Sequence, residues 1–235
     1  MRSAKNVGRI IGLALLIQLL LALPVYFVWM RPVTGTGFLE NAAGSALQIR
    51  FALLVTFVLG AMTFTAAIMA MPVFRRYSER LALAFLALSI VGLATLAMES
   101  MSMRNMLSLS LEYAKAGAAN DLLQTLGGLA RSTAVGAHHT NLMVVHGTVL
   151  LLYIILYRFA LVPRALAAFG MAASLLSTAA VTLPLLGSRL VFQLVMPAAM
   201  GNLALMLWLI VRGFEERQQF RSDAERVDGL PEGVQ

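Results

Sequence analysis

The sequence contains no cysteine. A disulfide framework, a thiolate metal site and a nucleophilic thiol are therefore excluded, and redox compartment cannot be inferred. Charge is scarce too. Only 12% of residues are Asp, Glu, Lys or Arg, against about 25% in an ordinary soluble domain. Strict alternation of apolar and polar residues is missing, which argues against a transmembrane barrel. There is no phosphate loop, because Gly127-Gly128 lacks a following Lys-Ser/Thr, and no Gly-x-Ser-x-Gly elbow occurs. Histidine is confined to one stretch: His138, His139 and His146.

What the chain has instead is hydrocarbon. Of its 235 residues, 60% are hydrophobic, gathered in blocks of about twenty. A helix of that length crosses a hydrocarbon core of about 30 Å. These features predict an all-α, polytopic membrane protein whose first partner is the lipid bilayer. The formal charge of +7 does not point to nucleic acid. The basic residues lie between the apolar blocks and form no patch interleaved with aromatics, as the positive-inside bias would place them.

Six transmembrane helices are expected, at about 10–30, 51–71, 81–98, 139–159, 165–186 and 190–211. The first follows a basic stretch with Arg2, Lys5 and Arg9 and ends near Tyr26 and Trp29, at the level of the interfacial belt. It is longer than the apolar core of a secretory signal and no small-residue cleavage site follows, so it reads as retained. Gly8 and Gly12 form a GxxxG pair, which at the membrane edge arises more often by chance than through helix packing. Residues 31–50 read as a short loop. Pro72 closes the second helix. Gly170, Ser174 and Thr178 form a small-residue face on the fifth. Pro197 should kink the sixth.

Between the third and fourth helices lies the only long polar region. Leu107, Leu111, Ala114, Ala118, Leu122, Leu126 and Leu129 recur at three- and four-residue steps, a helical apolar stripe. With Gly117 as a stop and Asn120 as an N-cap, residues 104–134 read as an amphipathic hairpin of two short helices, 104–116 and 121–134. It would be a connection packed on its own bundle, or a roof in the interface. With the N-terminus inside, cytoplasmic segments carry about twice as many Lys and Arg as outer ones. A multi-pass protein of the inner (plasma) membrane with both termini cytoplasmic is therefore expected. Residues 1–214 would form a single domain, and 215–235 a charged, partly disordered cytoplasmic tail.

Val162-Pro163-Arg164-Ala165-Leu166 with Gly170 opens the fifth helix, and Pro197, Leu207-Trp208-Leu209 and Arg212-Gly213-Phe214 follow in the sixth. This order resembles a bacterial family of small membrane proteins, domain of unknown function 4386, over about residues 8–215. The resemblance implies a six- or seven-helix membrane protein and supplies no activity. In that family an acidic residue often follows the proline of the last helix. Here Gly201 and Asn202 stand in that neighbourhood, so its role does not carry over.

The candidate site lies at the head of the fourth helix. His139 and His146 are seven residues apart, on nearly one face but about 10 Å apart along the axis. They are too far apart to share one metal ion. His138 and Asn141 are rotated away. Imidazole suits zinc, copper or haem, and Glu99, ending the third helix on the same side, would be the partner of His139 in a metal site. The spacing matches no zinc motif, and three histidines on one segment do not suit bis-histidine haem. No cofactor is required by the sequence. His146, about two turns deep, is read first as hydrogen-bonded to a neighbouring helix, with a proton relay as the alternative. Arg104 and Arg189 could bind an anionic headgroup or simply snorkel to the interface.

Two functions compete. One is a non-catalytic protein that holds a lipid or lipophilic ligand, or a partner membrane protein, near the outer leaflet. The other is a membrane-embedded enzyme with His138, His139, His146 and Glu99 as acid, base or metal ligands. A small transporter is weaker, because a single interrupted helix and no inverted repeat are seen.

Overall fold

The computed structural model describes residues 4–116, 120–183 and 192–215. Every regular element among them is helical. Helix α1 spans Ala4–Pro24 and runs into a π-helical turn, Val25–Trp29. Two single-turn helices follow, α2 (Arg31–Thr34) and α3 (Phe38–Asn41). Then come α4 (Ala46–Arg75), α5 (Glu79–Ala116), α6 (Asp121–Arg158), α7 (Arg164–Thr182) and α8 (Met196–Arg212). The six longer helices pack in chain order, α1 on α4, α4 on α5, and so on to α8, which returns to α1. The bundle is a closed ring.

Five helical segments are long and apolar enough to cross a membrane, and α8 is a shorter apolar helix. Their outward faces carry Leu13, Leu20, Leu54, Phe57, Leu83, Ile90 and Leu175, all exposed. Water would penalise such a surface and lipid tails would not.

The expected hairpin at 104–134 takes a different form. Its two arms are not separate helices but the ends of α5 and α6, each 38 residues long. At 1.5 Å per residue each measures about 57 Å, nearly twice the hydrocarbon thickness. The polar stretches at 99–103 and 136–141 do not break the helices, because Glu99, Ser102, His138, His139, Thr140 and Asn141 find hydrogen-bond partners within the bundle. Asn120 does cap α6, its side chain accepting from the Leu123 N–H at 3.2 Å. The turn between the arms, with Gly117, lies outside the described residues.

Proline behaves differently from expectation at two points. Pro72 lies inside α4, which continues to Arg75. Pro197 sits in the first turn of α8, where a missing N–H costs nothing, so it starts a helix rather than kinking one. Residues 184–191, with Arg189, and the tail from 216 onward lie outside the described residues.

Small residues set the close contacts. The Gly8–Gly12 pair, expected to be a chance spacing, is a packing surface. A Cβ on Gly12 would lie 2.7 Å from Leu209 Cβ and 2.9 Å from the Ile210 nitrogen, and one on Gly8 2.5 Å from the Phe214 nitrogen. The α1–α8 seam closes because these Cβ atoms are absent. Gly213, at φ +73°, turns the chain beside the Lys5 carbonyl, so the start of α1 and the end of α8 share one end of the bundle. Gly170 accepts the Tyr153 ring where a methyl would overlap it, and Ser174 beside it is fully buried. The small-residue face of α7 thus packs on α6.

The core has two parts. One, at the end where α1 begins, gathers Phe74, Phe85, Tyr153, Leu156, Leu161 and Phe214. The other lies at the opposite end and includes Val25, Val33, Phe38, Ile49, Met106, Leu107 and Ala134. Residues 31–45 are therefore a folded cap, not a simple loop. Ser110, fully buried on α5, staples it: its Oγ donates to the Leu39 carbonyl at 2.8 Å and accepts from the Ala43 N–H at 2.8 Å.

Candidate functional site

Four polar side chains, two from each long helix, meet between α5 and α6. Thr95 and Glu99 are one turn apart on α5. His138 and Asn141 are three residues apart on α6 and so share a face. Glu99, 5% exposed, accepts on both oxygens. His138 Nδ1 lies 2.8 Å from Oε1, and Asn141 Nδ2 donates to Oε2 at 2.7 Å. Asn141 Oδ1 in turn accepts from the Thr95 hydroxyl at 2.9 Å. With Glu99 as a carboxylate, which only accepts, the bond requires the proton on Nδ1 of His138. The carboxylate thus fixes the imidazole's orientation and leaves Nε2 without a hydrogen bond among the described residues. His139 is held likewise, Nδ1–H donating to the Val135 carbonyl at 2.8 Å.

Beside this chain of hydrogen bonds lies a cavity of about 280 Å³. Its apolar lining comes from Met30, Leu53, Met103, Met106, Ala134 and Val135, its polar lining from Tyr26, Thr34, Thr56, Glu99, Ser100, Arg131, His138 and His139. Tyr26 is supplied by the π-helical turn after α1, a departure from α geometry that often accompanies function. Arg131 on α6 donates from Nη1 to the Gly35 carbonyl of the cap at 2.6 Å. The Ser100 Oγ is buried without a hydrogen-bond partner among the described residues.

His138, His139 and Glu99 line the cavity together. Glu99 hydrogen-bonds to His138 and Asn141 rather than to His139, the metal partner expected for it. Among the described residues no three or more His, Asp or Glu side chains gather to hold a metal ion. His146 belongs elsewhere. Its ring lies 3.2 Å from the Ser177 hydroxyl of α7, the interhelical bond expected of it. Arg104 is exposed and outside the cavity, and it makes no pair with Glu99. Arg189 lies outside the described residues. The cation that reaches the cavity is Arg131, which no motif or spacing singles out. Tyr26 carries only the signal of an interfacial aromatic, yet it too faces the cavity.

A family profile described as "Domain of unknown function (DUF4386)" matches residues 10–213, most of the chain. The chain belongs to this family. No curated protein and no solved structure matches it significantly. Within this DUF4386 chain, Asn202 of α8 accepts from the Tyr153 hydroxyl of α6 at 3.0 Å. The neighbourhood after Pro197 therefore serves to tie α8 to α6. The cavity lies at the other end of the bundle, among residues of α4, α5, α6, the turn after α1 and the cap.

Proposed function

We propose that this DUF4386 protein is a six-span binding protein that holds a lipophilic or amphiphilic small molecule in the cavity between α4, α5, α6 and the turn after α1. The observation that carries this reading is the cavity's two-sided lining, methionine and aliphatic side chains facing fixed polar groups. Small-molecule sites have that composition. In this reading α8 is the sixth span. Its 17 residues cover about 25 Å, and the 3-10 turn Phe192–Leu194 before it extends the apolar stretch. Lys5, Arg9, Arg75, Arg76, Arg80, Arg158, Arg164 and Arg212 cluster at the end where α1 begins, supporting cytoplasmic termini in an inner membrane. The cavity then opens toward the outer leaflet.

The test is binding of single-chain dodecyl amphiphiles to the full chain in lipid nanodiscs, corrected for empty discs. Saturable binding of at least one probe is expected, and it should be lost when Val135→Phe and Met103→Phe fill the cavity. Binding that is indifferent to these changes would reject the reading.

A second reading is favoured by the Glu99–His138 geometry. A buried carboxylate orienting an imidazole leaves Nε2 ready to act as a general base. Under that reading His138→Ala would abolish turnover of a bound ligand. Under simple binding the same variant would only weaken affinity modestly.

A further inference from the structure

The arginine that lines this cavity has no carboxylate partner among the described residues. Glu99 is the acidic residue that lines it, and each of its oxygens accepts one hydrogen bond, from His138 and from Asn141. Arg131 lines the same cavity and forms no ion pair with a carboxylate among the described residues. One of its N–H groups is engaged by the Gly35 carbonyl at 2.6 Å. That bond tethers the guanidinium to the cap and leaves further donors on the planar fork. An arginine held partly out of water without a counter-ion is unfavourable. Its fork matches a carboxylate or phosphate in bidentate fashion. The Ser100 Oγ, buried and unpartnered in the same lining, is a second group with an unmet hydrogen bond.

We propose that the cavity takes a single-chain amphiphile with an anionic head, a carboxylate or a phosphate, bound by Arg131, its chain lying against Leu53, Met103 and Met106. The proposal rests on the ligand-binding reading above and names the ligand's chemistry. Binding of a cationic head is disfavoured by the same geometry, since Arg131 would repel it and Glu99 already accepts from His138 and Asn141. The Arg131–Gly35 bond also links head capture to the cap, because the residue that meets the head holds residue 35 in place.

The experiment compares four probes with one tail on the full chain in nanodiscs: dodecanoate, dodecyl phosphate, dodecanol and dodecyltrimethylammonium. One or both anions should bind on the order of tenfold or more tighter than dodecanol and the ammonium probe, the scale of one charge-assisted contact. Arg131→Gln should remove that preference, the anions binding this variant no tighter than dodecanol does, with Arg131→Lys between. Tighter dodecanoate points to a fatty-acid-like ligand, tighter dodecyl phosphate to a phospholipid-like one, and either supports the proposal. Dodecanol binding as tightly as the anions, an anion preference that survives Arg131→Gln, or a preference for the ammonium probe overturns it while leaving the cavity reading intact. Failure of all four probes overturns both. If Arg131→Gln does not fold, the wild-type order of heads and the Lys variant still decide.

Discussion

Replacing Glu99 by Gln tests whether the chain of hydrogen bonds between α5 and α6 holds these helices together. The side chain keeps its shape but loses its charge. One amide oxygen can still accept from Asn141 or from His138. The amide nitrogen then faces the other donor, and that bond is lost. Hydrogen bonds to charged groups contribute about 1.5–3 kcal/mol and neutral ones about 0.5–1.5. The change loses one charged bond and weakens another. Interhelical bonds within membranes measure lower, near 0.6 kcal/mol on average and about 1.7 at most. The two scales together set the expected loss at about 2 kcal/mol. The assay is equilibrium unfolding of the reconstituted protein, run as a cycle with Asn141→Ala and the double variant. A coupling of about 1 kcal/mol between positions 99 and 141 is expected for contact at 2.7 Å. Coupling below about 0.3 kcal/mol, with Glu99→Gln as stable as wild type, would refute the view that this network supports the fold.

Gly12→Leu should open the α1–α8 seam and lower stability by about 2–3 kcal/mol, whereas Gly128→Ala, where a Cβ meets nothing within 4 Å, should be neutral or stabilise by up to about 1 kcal/mol. Thermal melts of both in detergent check the contrast. Ser110→Ala leaves the Leu39 carbonyl and the Ala43 N–H without their partner, so it should cost about 1–3 kcal/mol. Amide exchange at Ala43 should rise more than exchange in α7; uniform exchange would remove Ser110 from this role.

The all-helical fold with long, outwardly apolar helices was legible because composition alone carries it. An apolar block near twenty residues long matches the thickness of a bilayer, and several in one chain exceed what a soluble core can bury. The helix ends were less legible. Glu99, Ser100 and Ser102 look like an exit from the membrane, yet Glu99 is taken up by His138 and Asn141, and Ser102 donates to the Met98 carbonyl at 3.0 Å. Such side-chain and interhelical partners let a helix run on through polar sequence. In the site, spacing could say that His139 and His146 share a face, and that His138 and Asn141 share another. It could not say which face turns toward Glu99. That is decided by how α5 and α6 cross, a property of packing. Arg131 was invisible for a related reason, since its meaning depends on a cap contributed by residues 31–45. The glycine pair of α1 carries little signal by itself because its partner lies about two hundred residues away, and only the assembled ring brings Leu209 against Gly12.

Closure of that ring bears on how the protein is made. The Arg9 guanidinium donates to the Val211 carbonyl, a contact 202 residues apart in the chain. During synthesis α1 is made well before α8, and its glycine face has no mate until α8 follows. Closing the ring therefore joins the oldest of these six helices to the newest, and any truncation before residue 196 leaves a seam that the remaining helices cannot fill.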